Sequence, residues 1–148
     1  MINISNIYKW LELTGNRLND DLKVKLALNL IEEELNELHV GVINNDNDEI
    51  KDAVGDFIWV LFNLLYFKGI TIEDFKDYFK LIEESNYSKF CSNEEDAIKT
   101  IELYKSGNHP DKLGVIIDCY YEKIDDYYII KRNDGKVLKS YLYKSLNK

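Results

Sequence analysis

The 148-residue sequence predicts a mainly α-helical fold, an antiparallel bundle of four to five helices followed by a small C-terminal β-hairpin or meander. Apolar residues recur at helical spacing through most of the chain, which indicates amphipathic helices. A single proline and seven glycines are too few for a loop-rich sandwich. The last forty residues are rich in Ile, Val and Tyr, which is typical of strands.

Each predicted helix has a start or stop signal in the sequence. Gly15 and Gly69 end the first and third helices, and the Asn/Asp run at 44–48 supplies a turn and the cap of the third. A Thr-x-x-Asp sequence at 71–74 begins the fourth helix, and an acidic segment begins the fifth. The predicted ranges are about 4–13, 21–42, 48–67, 71–88 and 93–105.

The two long helices are expected to pack through their apolar positions. In the first of them these positions are Leu22, Leu26, Leu30, Ile31, Leu35 and Leu38. The second contains the most apolar run, "FIWVLFNLLYF" at 57–67, which is too short for a bilayer because a span takes about 20 residues. This run is therefore expected to form a central helix that is buried on nearly all sides.

The chain length suits a single core, so one domain is predicted over residues 1–148. Its helical core is expected at about 4–105 and its β appendage at about 115–143. Within the appendage, the two aspartates at 125–126 and the Asn-Asp-Gly sequence at 133–135 are turn signals.

The composition limits the function. A net charge of −8 argues against nucleic acid or an anionic membrane as a partner, because their phosphates would be repelled. An anionic substrate would therefore need a metal ion as mediator. The N-terminal residues lack a signal-peptide pattern, and Cys91 and Cys119 lack the spacing of a zinc site, so a cytoplasmic protein with reduced thiols is expected.

Acidic residues fall at matching heights on the two long helices if these form an antiparallel hairpin. Glu37 then lies opposite Asp52, and both Glu33 and Glu34 lie opposite Asp56. Such convergence of like charges is costly unless hard divalent cations with oxygen ligands offset the repulsion. A solvated acidic face is the alternative that the pattern leaves open.

These residues resemble the MazG-type all-α nucleoside triphosphate pyrophosphohydrolases. The segments "EELNE" at 33–37 and "DAVGDFIWVL" at 52–61 are similar to the family's Glu-Glu-x-x-Glu motif and to its acidic motif that ends in Gly-Asp before an apolar run. The segments "ESNYSKF" at 84–90 and "DGKVLKSYLY" at 134–143 are similar to a nucleotide-contacting segment and a C-terminal segment of relatives. The resemblance covers about residues 10–143.

The resemblance implies Mg²⁺-dependent hydrolysis of a nucleoside triphosphate between the α and β phosphates, with Mn²⁺ as a substitute metal. The implied metal ligands are Glu34, Glu37, Asp52 and Asp56. Glu33 is implied as a residue that ligates metal or orients the attacking water.

One departure from the family bears on this ligand set. Many members carry Glu at the position that Ala53 occupies here. Asp52, four residues before Asp56 and on the same face, offers a carboxylate in its place. The sequence leaves open whether Asp52 or Glu49 supplies the missing ligand.

An acidic protein that binds a polyanion needs cations and polar groups around the substrate. The resemblance gives Asn86 and Lys89 as substrate contacts, and Lys136 and Lys139 are further candidates for the phosphates. Asn63 places an amide inside the apolar run, where it needs a partner, so a core hydrogen bond or a subunit contact is expected for it.

Two functions compete on the sequence alone. The first is a pyrophosphohydrolase of the nucleotide pool that assembles, like its relatives, as a homodimer or homotetramer through its helices. The second is a non-catalytic oligomeric helical protein that binds nucleotide or a partner through an acidic surface, and the Ala53 departure keeps this alternative open. No motif selects the base or the sugar of the nucleotide.

Overall fold

The computed structural model describes residues 2–146, which form five α-helices and a two-stranded antiparallel sheet. The helices are α1 (Ser5–Leu13), α2 (Val24–Ile43), α3 (Asn47–Phe67), α4 (Ile72–Tyr87) and α5 (Glu94–Ser106). A 3₁₀ turn at Asp21–Lys23 leads into α2, and the strands are β1 (Cys119–Ile124) and β2 (Tyr127–Arg132). The predicted mainly α fold is confirmed, and the helices lie within three residues of their expected bounds.

The chain forms two compact units, one up to Lys76 and one from Asp77 onward, so the boundary lies inside α4. The first unit contains α1, α2 and α3, and the second contains α5 and the sheet. This division differs from the predicted boundary between a helical core and a β appendage, because α5 packs on both strands. A single domain over residues 1–148 stays a prediction.

Polar side chains begin two of the helices, as the sequence predicts. The Asp46 carboxylate caps α3 by accepting hydrogen bonds from the backbone N–H groups of Asp48 at 3.0 Å and Glu49 at 3.1 Å. The Thr71 hydroxyl accepts from the N–H of Asp74 at 3.1 Å at the start of α4. A cap of this kind contributes about 1 kcal/mol to stability.

The core of the first unit forms where α1 and α2 pack against α3. Its buried side chains are Ile7, Leu11, Ala27, Phe62, Tyr66 and Phe67. Two tyrosine hydroxyls hold neighbouring backbone in place: Tyr8 donates to the carbonyl of Ile70 at 2.5 Å, and Tyr66 donates to that of Asn16 at 3.1 Å.

Small residues bring α2 close to α3. The buried residues of α2 are Ala27 and Gly41. A Cβ on Gly41 would stand 3.2 Å from both the side chain and the backbone nitrogen of Ile50, so a larger residue would push the helices apart. The prediction of three core leucines is wrong, because Ala27 and Gly41 take the buried positions of α2 and one of the leucines lies in the 3₁₀ turn before it. The three exposed leucines are Leu22, Leu26 and Leu35.

The apolar run at 57–67 is central, as predicted. Its buried residues are Val60, Phe62, Asn63, Tyr66 and Phe67. Leu61 is 36% exposed, so the burial is not all-round. Among residues 2–146, no single helix is long and apolar enough to cross a membrane. Only α3 and α4 taken together have the length and composition of a membrane span, and the two helices are sharply bent relative to each other.

The sheet of the second unit is a tight hairpin. Ile124 pairs with Tyr127, so the two aspartates at 125–126 form the predicted two-residue turn. Beyond β2, Lys131 makes an isolated bridge with Val137. The third strand of the predicted meander is thus reduced to one bridge.

A histidine is buried beside the core of the second unit. The core side chains are Cys91, Ala97, Tyr104, Cys119, Ile130 and Leu138. His109 is 1% exposed, and its ring stacks on Tyr104 with centroids 3.8 Å apart and planes inclined by 6°. The His109 Nδ1 accepts a hydrogen bond from the N–H of Asp111 at 3.0 Å. Burial lowers the pKa of His109 from 6.5, against smaller effects of the Lys139 carbonyl and Asp111 that raise it.

Because the pKa of His109 is lower in the folded chain, the unfolded chain binds more protons as the pH falls through 6.5. The free energy of unfolding contributed by this neutral histidine should therefore be fully present above pH 6.5 and be lost below it. We expect wild type to be more stable than His109→Asn at pH 7.5, and the difference to shrink at pH 5.5. Urea unfolding at both values measures this, and the same substitution at the exposed His39 controls for loss of a histidine as such. A difference that grows on acidification would contradict the assignment.

Candidate active site

The α2–α3 seam is the line along which the two long helices touch, and it has heptad spacing on both. On α2 it contains Val24, Ala27, Ile31, Glu34, Leu38 and Gly41. On α3 it contains Ile50, Ala53, Phe57, Val60, Leu64 and Phe67. All twelve residues are buried or half-buried. Glu34 is the single charged residue among them, so a carboxylate occupies a position where the pattern requires a core side chain.

Gly41 fixes the register of the seam. Its Cα faces Ile50 and the backbone of Glu49. Glu34 lies two turns before Gly41 on α2, and Phe57 lies two turns after Ile50 on α3. Glu34 is therefore at the height of Asp56 and Phe57. This agrees with the heights expected from the sequence.

One oxygen of the Glu34 carboxylate lacks a hydrogen-bond partner in the seam, and the side chain that interacts with the carboxyl group is another acid, Glu37. The oxygen without a partner, Oε2, is fully buried. Burial raises the pKa of Glu34 above 4.5, and the carboxylates of Glu37, Asp56 and Glu33 raise it further. An ionised Glu34 has lost water at this oxygen without gaining a donor, so a proton or a cation would stabilise it.

Three of the predicted acids surround Glu34, and one stands apart. Glu37, Asp56 and Glu33 are exposed and act on its charge, whereas Asp52, also exposed, is not among the charges that act on it. In the part of the chain from residue 2 to 146, no three His, Cys, Asp or Glu side chains are close enough to hold a metal ion. The metal ligation by Glu34, Glu37, Asp52 and Asp56 and the role of Glu33 stay predictions.

Ala53 lies in the seam and Asp52 does not, and Asp52 is also one turn away from Asp56 and so from the height of Glu34. Ala53 is 1% exposed and faces α2 in the seam. Successive side chains leave a helix about 100° apart, so Asp52 points away from the direction in which a residue at 53 projects. Glu49 is half-buried one turn earlier, beside Gly41. Asp52 is therefore not a positional replacement for a glutamate at 53, and neither acid occupies that place in the seam.

The seam separates two different surfaces of the α2–α3 hairpin. The acidic flank is formed by Glu33, Glu37, Asp52 and Asp56. Helical periodicity places Leu28, Leu35, Val42, Val54 and Leu61 on the other side, and these exposed residues form the apolar flank. Their exposed fractions run from 36% to 58%. Two further exposed apolar residues, Leu26 and Val40, lie seven residues before and after Glu33 and therefore on the acidic side.

Asn63 stands on the same side of α3 as Asp56, seven residues later. It is 7% exposed, and its Oδ1 atom is buried without a hydrogen-bond partner. The predicted core hydrogen bond is therefore not made by this oxygen. One turn before Asn63, the Trp59 ring meets the ring of Trp10 from α1 edge-on at 5.8 Å.

The four predicted substrate contacts lie in the second unit: Asn86, Lys89, Lys136 and Lys139. Lys89 Nζ donates to Asn86 Oδ1 at 2.8 Å, so two of them are paired at the C-terminal end of α4. Lys139 Nζ forms an ion pair with Asp111 at 3.0 Å. Their contact with substrate stays a prediction.

The core position of Glu34 is what reasoning from the sequence missed. The sequence contained the signal, because Ala27, Glu34 and Gly41 are spaced seven residues apart. Leucines dominate the apolar pattern of α2, and the spacing of the small residues does not show in it because alanine and glycine contribute little to such a pattern. Small residues on either side of an acid indicate a helix face that approaches its neighbour closely.

Comparison with known proteins identifies the helical part of the chain. Residues 13–86 match the model of the family described as phosphoribosyl-ATP pyrophosphohydrolase, and this span is half of the chain. An uncharacterized protein of Acanthamoeba polyphaga mimivirus is 34% identical over 100 residues, covering 64% of this chain and 39% of that protein. The chain thus spans about two fifths of the length of this relative. No solved structure matches the chain.

The matched family is part of the MazG-like superfamily of all-α nucleoside triphosphate pyrophosphohydrolases, so the resemblance seen in the sequence is confirmed at that level. The matched span contains α2, α3 and every acid of the acidic flank, and it ends at Asn86. The chain belongs to the phosphoribosyl-ATP pyrophosphohydrolase family.

Proposed function

We propose that this chain hydrolyses a nucleoside triphosphate between the α and β phosphates, giving the monophosphate and pyrophosphate in nucleotide-pool housekeeping. Its family implies a pyrophosphohydrolase-type activity on nucleotides. The observation that carries the finer proposal is the buried, unpartnered oxygen of Glu34, beside Glu37 and Asp56 in an otherwise apolar seam. Such a group is costly unless a cation is bound, which suits a reaction on a metal-bound polyanion.

The donor set fits a hard divalent cation, because it consists of carboxylate oxygens. The proposed ligands are Glu34, Glu37, Asp52 and Asp56. Bound Mg²⁺, or Mn²⁺ in its place, would neutralise phosphate charge and lower the pKa of a coordinated water. Glu33, at the outer edge of the acidic flank, is proposed to orient the attacking water. The packed helices fix the backbone from which these carboxylates project, and positioning of charged groups is the main requirement of phosphoryl chemistry.

The substrate is a polyanion, so cations outside the acidic flank are part of the proposal. Lys89, Lys136 and Lys139 are proposed to contact phosphates, and Asn86 to contact the base or sugar. The pair formed by Lys89 and Asn86 keeps the ammonium group uncompensated by a carboxylate, which leaves its charge available. Lys139 would have to leave Asp111 to bind a phosphate, so it is the weaker contact of the two.

A non-catalytic role is the second candidate, and two observations favour it. The acids within residues 2–146 do not gather into a three-ligand group, and Ala53 removes a seam carboxylate. In that case the chain would bind nucleotide or a partner through the acidic flank without hydrolysis.

The apolar flank supports the proposal of a homodimer or homotetramer. Its residues are exposed, and Leu28 lies at the height of Leu61 as Leu35 does at that of Val54. A continuous apolar surface of this kind on two paired helices suits an isologous contact with a second copy. The acidic flank stays free for substrate in such an assembly, because it lies on the other side of the seam.

Glu34→Gln should raise the melting temperature at neutral pH when no divalent cation is present. The raised pKa means that the folded chain binds more protons than the unfolded chain above pH 4.5, so wild-type stability falls as the pH rises through this window. Glutamine is uncharged, so the variant does not lose stability in this way as the pH rises. Thermal unfolding with and without Mg²⁺ measures the effect, and Mg²⁺ should stabilise wild type more than the variant.

The matched control is Glu32→Gln, an exposed glutamate on the same helix. It should leave the melting temperature and the Mg²⁺ effect unchanged. Equal stabilisation by Mg²⁺ of wild type and Glu34→Gln would exclude Glu34 as a ligand.

Asp56→Ala should abolish catalysis. We expect wild type with Mg²⁺ to release pyrophosphate from at least one member of a panel of canonical and modified nucleoside triphosphates and phosphoribosyl-ATP. The variant should lose about 100-fold or more in kcat, because it loses charge stabilisation at the reacting phosphates. Pyrophosphate release is measured by a coupled assay.

Asp48→Ala serves as the control, since Asp48 lies on α3 and pairs with Lys51 away from the seam. It should retain wild-type kcat. Release from no panel member, or equal release by wild type and Asp56→Ala, would leave the non-catalytic role as the surviving candidate.

Leu35→Lys should dissociate the proposed oligomer, because it puts a charge in the centre of the apolar flank. We expect the mass measured by light scattering to fall to that of the monomer while the helical circular dichroism signal is retained. Glu32→Lys, exposed on the same helix, should keep the oligomer. A wild type that is monomeric at micromolar concentration would refute this assembly.

A further inference from the structure

Asn63 is a buried polar residue of the first unit for which the proposed hydrolysis has no role. It is 7% exposed, and its Oδ1 atom is buried without a hydrogen-bond partner. Buried amides in folded proteins are almost always hydrogen-bonded, because an unpaired one has lost its bonds to water and gained none. The Asn63 oxygen is therefore open to a donor that arrives after folding.

The position of Asn63 relates it to the acidic flank. Seven residues separate it from Asp56, so both side chains leave α3 on the same side, about 10 Å apart along the helix axis. Trp59 precedes it by one turn and contacts Trp10, whose ring is 48% exposed. Asn63 thus lies further along the same side of α3, next to an aromatic pair that reaches the surface.

We propose that Asn63 is a specificity-determining residue, whose side-chain amide binds the base or sugar of the nucleotide. The inference rests on the proposed function, which puts the scissile phosphates at the acidic flank beside Asp56. A nucleoside that extends from those phosphates along α3 reaches the height of Asn63.

The chemistry of the amide fits the nucleoside rather than the phosphates. Its carbonyl oxygen accepts and its NH₂ group donates, which complements the edge of a base or a sugar hydroxyl. It has no charge to offer a phosphate oxygen, for which lysine and arginine are the usual partners.

Burial makes Asn63 a selective contact rather than a general one. A buried hydrogen-bonding group strongly rejects ligands that leave it unpaired, whereas an apolar pocket discriminates only weakly between similar ligands. Contact of Asn63 with a ligand requires neighbouring side chains to move, which rotation between rotamers allows.

The test is Asn63→Leu, which keeps a similar volume and removes the amide. Without nucleotide the melting temperature should be unchanged or higher, because the unpaired group is gone. KM for the preferred triphosphate should rise about tenfold, with a smaller change in kcat, and the preference among bases should weaken. Calorimetric binding of non-hydrolysable α,β-methylene triphosphates with Mg²⁺ should weaken by the same factor. The same substitution at the exposed Asn29 of α2 should change none of these values.

If Asn63→Leu keeps the KM, base preference and analogue binding of the wild type, the inference is overturned. The proposed function still stands in that case, provided that the wild type releases pyrophosphate. A wild type that binds analogues but releases no pyrophosphate contradicts the proposed function alone, and the binding data still test Asn63. A wild type that binds no analogue overturns the inference. A change in oligomeric mass in the leucine variant would assign the amide to a subunit contact and overturn it as well.

Asn63→Ser covers the case in which leucine at this position prevents folding, because serine is smaller and keeps one donor. Analogue binding between that of wild type and no binding supports the inference. Wild-type binding by the serine variant overturns it.

Discussion

A carboxylate at a core position of a helix pair is the constraint on which the rest of the first unit depends. Glu34 occupies a heptad position of the α2–α3 seam, between Ala27 and Gly41. Those small residues let the helices approach closely, and close approach buries one oxygen of Glu34 without a donor. The same packing that stabilises the hairpin therefore creates a group that only a proton or a cation completes.

The close seam also divides the hairpin into surfaces of different chemistry. The acidic flank and the apolar flank lie on opposite sides of the contact line, and each is built from both helices. Because the register is fixed at Gly41, Glu34 lies at the height of Asp56, and Glu37 and Asp52 lie about one turn further toward the hairpin turn. The register of the two helices therefore positions the acidic side chains as well as the core side chains.

Local signals in the sequence were sufficient for the elements of this fold, and the register followed from them. Asp46 and Thr71 act as the caps that their residue types indicate, and the aspartates at 125–126 form the two-residue turn. Which face of α2 is buried could not be obtained this way, because the burial of Ala27 and the exposure of Leu35 result from packing against α3. The spacing of the leucines does not predict how closely the backbones of two helices approach each other.

Ala53 shows how the seam tolerates Glu34. A glutamate at this buried position would put a second carboxylate into the same apolar line, and two like charges there would destabilise the hairpin more than one does. Alanine avoids that repulsion and retains the close contact between the helices. Asp52 and Asp56 are exposed instead, so water and salt screen the repulsion between them. The exposed carboxylates thus lie at the edge of the seam, and Glu34 alone carries the cost of a charge buried between the two helices.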